Sequence, residues 1–183
     1  MKLILVFIVI SLAFIGETEK YFTKKGQITF FSKTALEDIE ATNNRVTSVI
    51  EPATGKIEFA VLITAFEFDK ALMQEHFNEN YMESDKYPKA NFQGIIDNYK
   101  EINFQKDGIY EVTVSGSLTM HGVTNQISEK GKIRVKSGIV SAECAFKVAL
   151  KEYNIKIPKA VGNKLAEVID VKINITKYEY LKK

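Results

Sequence analysis

The chain is short of the residues that commonly bind metals or form cross-links. Its 183 residues include one cysteine, two histidines and no tryptophan. A single cysteine excludes an internal disulfide, so the fold depends on its core and its hydrogen bonds. Zinc sites need three or four ligands at set spacings. His76 and His121 do not form such a pair, and Cys144 has no second cysteine to join it, so no metal site is expected. We expect Cys144, among alternating apolar residues, to be a small buried hydrophobe.

Motifs of nucleophilic catalysis and phosphate binding are also missing. There is no G-x-S-x-G elbow, and Ser115 and Ser117 fall on the polar side of a regular strand pattern. Glu79 and Asp85 are better explained as a solvated charged surface than as a catalytic pair. No glycine-rich phosphate loop or dinucleotide fingerprint occurs. We expect a protein without enzymatic activity or cofactor. The catalytic alternative is a hydrolase or isomerase built on one of the two histidines.

Neither sign of charge predominates. The chain has 25 Lys and Arg against 23 Asp and Glu, a net charge of +2. This balance gives no support to a nucleic-acid partner. With 45% hydrophobic and 26% charged residues, the composition is typical of one globular domain with a real core.

The N-terminus differs from the rest of the chain. "MKLILVFIVISLAFIG" has one lysine followed by an apolar run. The run is shorter than the ~20 residues that a spanning helix needs, so it predicts a secretory signal peptide rather than a membrane anchor. We assign residues 1–17 to this peptide and 18–183 to the exported domain. The mature protein is expected to begin between Phe14 and Glu19.

The remaining sequence predicts mostly β-strands. "IYEVTVSGSLTM", "VSAECAFKVALK" and "VIDVKINIT" each alternate between apolar and polar residues. This period of two is typical of a strand with one dry face. "LEDIEAT" and "NRVTSVIE" are among the shorter candidate strands, and turn residues separate many of the candidates. The pattern predicts an antiparallel all-β protein whose sheet pairs with another sheet or closes on itself.

One segment has helical spacing instead. In "DKALMQEHFNENYM" the apolar residues are Leu72, Met73, Phe77 and Tyr81. Asp69 is the expected N-cap residue. The proline in "SDKYP" marks the return to extended chain.

Both histidines have structural interpretations. His76 flanks the apolar stripe of the helix and is expected to be half-buried there. His121 lies in "LTMHGVTN", just after a strand, where it is expected to hold the backbone of the turn.

Two motifs resemble a known family. "LMQEHFNENYMESDKYPKANFQG", then "VSGSLTMHGVTNQI" and a terminal strand rich in Val and Ile, are similar to the YceI-like polyisoprenoid-binding family. The resemblance covers about Gly26 to Ile175. It implies a lipocalin-like, eight-stranded antiparallel barrel with one short helix packed against it, in a periplasmic or secreted protein. Many relatives have a tryptophan near the mature N-terminus. This chain has none, so ligand contacts of the first strand are not carried over.

The resemblance also implies a function. It predicts an exported carrier that sequesters an apolar isoprenoid-type lipid, a polyisoprenoid or a quinone, inside the barrel. His121, Asn125 or the 78–89 turn would orient a head group, and the stretch from His76 to Gly94 would form a lid and hinge. The alternative is a non-catalytic stress-response or interaction module with a filled core and no ligand. A transient membrane-surface contact and a homodimer are left open as further partners.

The pore lining is the expected binding site. It combines residues that share the inward side of the predicted strands with residues of the helix. The candidate lipid-binding residues are Phe59, Val61, Met73, Phe77, Phe92, Val112, Val114, Gly116, Leu118, Cys144, Phe146, Val148, Val171 and Ile173.

Overall fold

The computed structural model describes residues 19–157 and 164–182. The predicted signal peptide, residues 1–17, lies outside the described residues, so that assignment stays a prediction. No helix in the described ranges is long and apolar enough to cross a membrane.

The described residues form nine strands. Eight of these strands are long, and the ninth, β4, has only two residues. The strands are β1 Glu19–Lys33, β2 Asp38–Glu51, β3 Lys56–Leu62, β4 Glu67–Phe68, β5 Lys89–Ile96, β6 Gly108–Met120, β7 Val123–Lys136, β8 Ile139–Ala149 and β9 Val168–Lys182.

The eight long strands close into a barrel. They follow the order β1-β9-β8-β7-β6-β5-β3-β2, and β1 pairs with β2 to complete the ring. Every described pairing is antiparallel. The short β4 pairs with Ala41 and Thr42, near the beginning of β2. The predicted all-β, lipocalin-like, eight-stranded barrel is confirmed.

Strand β2 joins two segments that the sequence separates. Most of "LEDIEAT" and all of "NRVTSVIE" lie in one strand, although one asparagine, Asn43, stands between them. Asn43 is fully buried, and its amide group donates a hydrogen bond to the carbonyl oxygen of Leu62 at 2.9 Å. Its side-chain oxygen accepts from the Arg45 N–H at 2.8 Å. Asparagine is typical of turns, but here its side chain satisfies backbone groups inside the barrel.

The predicted helix is present but short. Helix α1 spans Ala71–His76 and continues as a wider π-helical turn over Phe77–Tyr81. Its N-cap residue is Lys70, which forms no side-chain capping bond, so the expected cap at Asp69 is wrong by one residue. Short 3-10 helices span Ile63–Ala65, Tyr99–Glu101 and Leu150–Tyr153.

Buried side chains pack the end of the barrel at the β7–β8 hairpin. The Tyr21 ring stacks on Phe104 with centroids 4.9 Å apart. The buried Tyr178 hydroxyl is hydrogen-bonded to Ser48 Oγ at 2.9 Å. Val140, which is fully buried, belongs to the same cluster. We call this region the packed end.

Candidate binding cavity

Two adjoining apolar cavities occupy the rest of the barrel. The middle cavity has a volume of about 110 Å³, and the helix-side cavity, towards α1, about 160 Å³. An apolar cavity of about 150 Å³ accommodates a benzene-sized molecule. The two cavities share the wall residues Ile28, Val61, Ala90, Leu118 and Phe146.

Most candidate site residues line these cavities. Val61, Leu118 and Phe146 line both, and Phe77, Val148 and Val171 line the helix-side cavity. Their contact with a lipid stays a prediction. The candidates that line only the middle cavity are Phe59, Phe92, Val112, Val114, Cys144 and Ile173.

Gly116 does not line either cavity. It faces Gly94 in the β5–β6 ladder, and a Cβ atom on Gly116 would lie 2.5 Å from the Gly94 Cα. The missing side chain therefore lets two strands approach closely and leaves no room for a ligand. The contact of Gly116 with a lipid stays a prediction.

Met73 is the second candidate outside both cavities. It lines a groove on the outside of the protein together with Leu72 and His76. The Leu72 side chain is exposed. The helical segment therefore presents only part of its apolar stripe, at Phe77, to the helix-side cavity.

Aromatic rings close the helix-side cavity. Phe77 is their centre: its ring centroid lies 5.4 Å from Phe30, 5.5 Å from Phe66 and 5.1 Å from Phe68. Sequence analysis found only Phe77 of this group. The other three lie at strand ends and in a short turn, where the alternating pattern is interrupted.

His121 fastens the chain that follows the helix to the barrel. The residue is buried, with a φ of 51°, in the turn between β6 and β7. Its Nδ1 donates to the carbonyl oxygen of Tyr153 at 3.0 Å, and its Nε2 lies 2.8 Å from Glu83 Oε2. The Tyr87 ring packs edge-on against the imidazole at 4.7 Å. The predicted role of His121 in holding the turn is confirmed.

The other polar candidates are not at the cavity wall. The amide nitrogen of Asn125 donates to the carbonyl oxygen of Glu152 at 2.8 Å. His121 and Asn125 thus hold protein backbone, and neither lines the middle or the helix-side cavity; their contact with a head group stays a prediction. His76 is exposed, so its expected half-burial is also wrong.

Cys144 lies half-buried at the wall of the middle cavity. Its thiol donates a hydrogen bond to the carbonyl oxygen of Lys130 at 3.3 Å. Burial, and next the negative charge of Glu129, raise the pKa of the thiol to about 11. The thiol is therefore protonated at neutral pH and a poor nucleophile.

Glu129 is a wall residue that the sequence analysis missed. It lines the middle cavity on β7, on the same side as the buried Ile133 and Val135. Counting back from these two residues in steps of two would have found it. A glutamate in an alternating strand is ordinarily assigned to the outside, which hides the pattern.

Within residues 19–157 and 164–182, no group of three or more acidic, histidine or cysteine side chains could hold a metal ion.

The fold and the cavities define a class: a closed antiparallel barrel with an apolar interior and a helical segment across one end. The chain belongs to the YceI-like family, because the family model of the YceI-like domain matches residues 19–177. No curated protein gives a significant match.

Two solved structures have the same fold. One is a polyisoprenoid binding domain from Saccharophagus degradans implicated in plant cell wall breakdown; it is 13% identical, with a TM-score of 0.76 over 90% of this chain and 99% of that one. The other is BcnA from Burkholderia cenocepacia, 13% identical, with a TM-score of 0.67 over 82% of this chain and 95% of that one.

Proposed function

We propose that the protein is a carrier that binds one apolar isoprenoid-type lipid inside the barrel. The observation that carries this proposal is the pair of adjoining cavities, whose shared wall consists of aliphatic and aromatic side chains. Each 100 Å² of apolar ligand surface removed from water contributes about 2.5 kcal/mol, so a prenyl chain needs no charged contact to bind. The polyisoprenoid binding domain with the same fold supports this choice of ligand.

The volumes of the two cavities also limit the size of the ligand that can enter without a rearrangement of the wall. By the benzene comparison, they hold on the order of two isoprene-sized groups. A longer chain requires wall side chains to change rotamer. Phe77 and Phe146, which are half-buried at the cavity wall, are the side chains that we expect to move.

Binding without catalysis is part of the proposal. The helix-side cavity has an apolar wall, and the thiol of Cys144 is kept protonated. We further propose that the protein is exported to the periplasm or secreted, in line with the apolar N-terminal run. A membrane-surface contact and a homodimer stay predictions.

The test is mass spectrometry of an organic extract from protein purified from its own host, followed by add-back of prenyl lipids to stripped protein. One equivalent of a prenyl lipid supports the carrier. An extract without lipid, together with no binding on add-back, favours the second candidate function, a module with a filled core. The side chains that fill the packed end of the barrel are the reason to test this alternative.

A further inference from the structure

The wall of the barrel has a gap between β7 and β8. Their ladder runs from Lys136 and Ile139 to Gly131 and Cys144 and ends there. Beyond that point β7 continues to pair with β6, and β8 continues to pair with β9. Residues 123–130 and 145–149 are therefore each paired on one side only, and the two strands diverge.

Both ends of the gap are held by side chains. At one end the Cys144 thiol donates to the Lys130 carbonyl, where the backbone ladder stops. At the other end Asn125 donates to the carbonyl oxygen of Glu152 in the turn after β8. A gap with both ends fastened is a defined opening rather than a frayed edge.

The middle cavity reaches this gap. Its lining includes the inward Ile127 and Phe146 on the two diverging strands. It also includes Lys132 and Glu143, which lie opposite each other on the outer face beside the end of the ladder. The cavity thus runs from the apolar interior to the solvent side of the wall.

Glu129 is the acidic side chain at this place. It is half-buried, points to the cavity side of β7, and forms no hydrogen bond or ion pair with any described residue. Burial raises its pKa. Lys132, which lines the same cavity, does not pair with Glu129, since it pairs with Glu111 on the outside. A partly buried carboxyl group without a protein partner is able to accept a hydrogen bond from a ligand that supplies a donor.

We propose that the gap between β7 and β8 is the head-group site of the bound lipid, and that Glu129 accepts a hydrogen bond from an uncharged hydroxyl head. The proposal rests on the proposed carrier function and narrows its ligand to isoprenoid alcohols over isoprenoid phosphates. A phosphate beside the Glu129 carboxylate would meet a like charge, whereas an alcohol meets an acceptor.

The experiment compares three probes with the same chain: geranylgeraniol, geranylgeranyl monophosphate, and the corresponding hydrocarbon without a head group. Kd values are measured for the wild type, Glu129→Gln, Glu129→Leu and Glu58→Gln. The last variant makes the same charge change on the outside of β3. Thermal unfolding verifies that each variant is folded.

In the wild type we expect the alcohol to bind at least about tenfold more tightly than the phosphate. Glu129→Gln removes the charge but keeps an acceptor, so the preference against phosphate should fall about tenfold. Glu129→Leu removes the acceptor, so alcohol and hydrocarbon should bind equally. Glu58→Gln should behave as the wild type.

Tighter binding of the phosphate by the wild type, or equal ratios in the wild type and Glu129→Gln, would overturn the head-group site. In both cases the hydrocarbon still binds and the carrier function stands. If none of the three probes binds, the carrier function itself fails.

Discussion

Gly116 lies directly opposite Gly94 in the β5–β6 ladder, and neither position has space for a side chain. A Cβ atom on Gly94 would come within 2.5 Å of the Ser115 carbonyl oxygen. The two glycines mark a place where the strands approach too closely for any other residue.

Gly116→Leu should therefore destabilise the protein whether or not a ligand binds. Overpacking against backbone, which cannot move aside, should cost at least about 1–3 kcal/mol. Urea unfolding measures the loss. Thr113→Leu adds similar bulk to the same strand on its other side and should cost less. Equal stability of the two variants would contradict the close approach.

Cys144→Phe places bulk in the middle cavity. The middle cavity of about 110 Å³ gives the added ring space beside Cys144, so we expect the free energy of unfolding to change by less than about 1 kcal/mol. Because the ring then occupies the space of the ligand, the uptake of prenyl lipid should fall. Uptake is measured by mass spectrometry after add-back. A large drop in stability with unchanged uptake would indicate that the wall is already full here.

The two histidines should respond very differently to substitution. His121→Ala removes the donor to the buried Tyr153 carbonyl group and the contact with Glu83, and should cost about 1–3 kcal/mol. His76→Ala, at an exposed position, should change the free energy of unfolding by less than about 0.5 kcal/mol. Denaturant unfolding of both variants makes the comparison. Similar losses would show that His121 does not fasten the segment.

The Cys144 thiol should be slow to react with iodoacetamide at pH 8 and should react readily after unfolding. Its pKa is raised from 9.0 to about 11 in the fold, so protons leave the unfolded chain first as pH rises. Its contribution to stability is therefore complete below pH 9 and lost between pH 9 and 11. The difference between wild type and Cys144→Ser, measured across this range, isolates it from other groups. A flat difference would argue against the raised pKa.

The predicted signal peptide is tested by N-terminal sequencing of the exported protein. We expect the mature chain to begin between Phe14 and Glu19, because the apolar run ends there. An intact Met1 in a membrane pellet would show that the segment is an anchor.

Strand periodicity predicted much of the barrel. β6 and β8 alternate cleanly, so the inward positions of Val112 and Phe146 could be predicted from the sequence. Periodicity assigns a residue to a face but does not show what its Cβ atom would meet. At Gly116 the close approach of β5 arises only when the strands pair, so the sequence pattern does not show it.

The gap between β7 and β8 and the position of Glu129 could not be predicted from the sequence, for a different reason. The length of the β7–β8 ladder is set by how the whole ring closes, and a strand pattern does not show where pairing stops. Glu129 is charged, so the general preference of carboxylates for water outweighed its position in the alternation. The roles of His121 and Asn125 depend on a turn about 30 residues away that sequence patterns do not bring together.

The packed end of the barrel constrains how a lipid would travel. Tyr21, Phe104 and Tyr178 leave no straight passage along the axis, so a guest molecule in the proposed carrier is loaded and unloaded on one side of the protein. The protein would have to present that side first to the donor membrane and then to the acceptor membrane. The combined length of the middle and helix-side cavities also sets the longest chain that can be fully enclosed, and any additional isoprene units would extend outside the barrel.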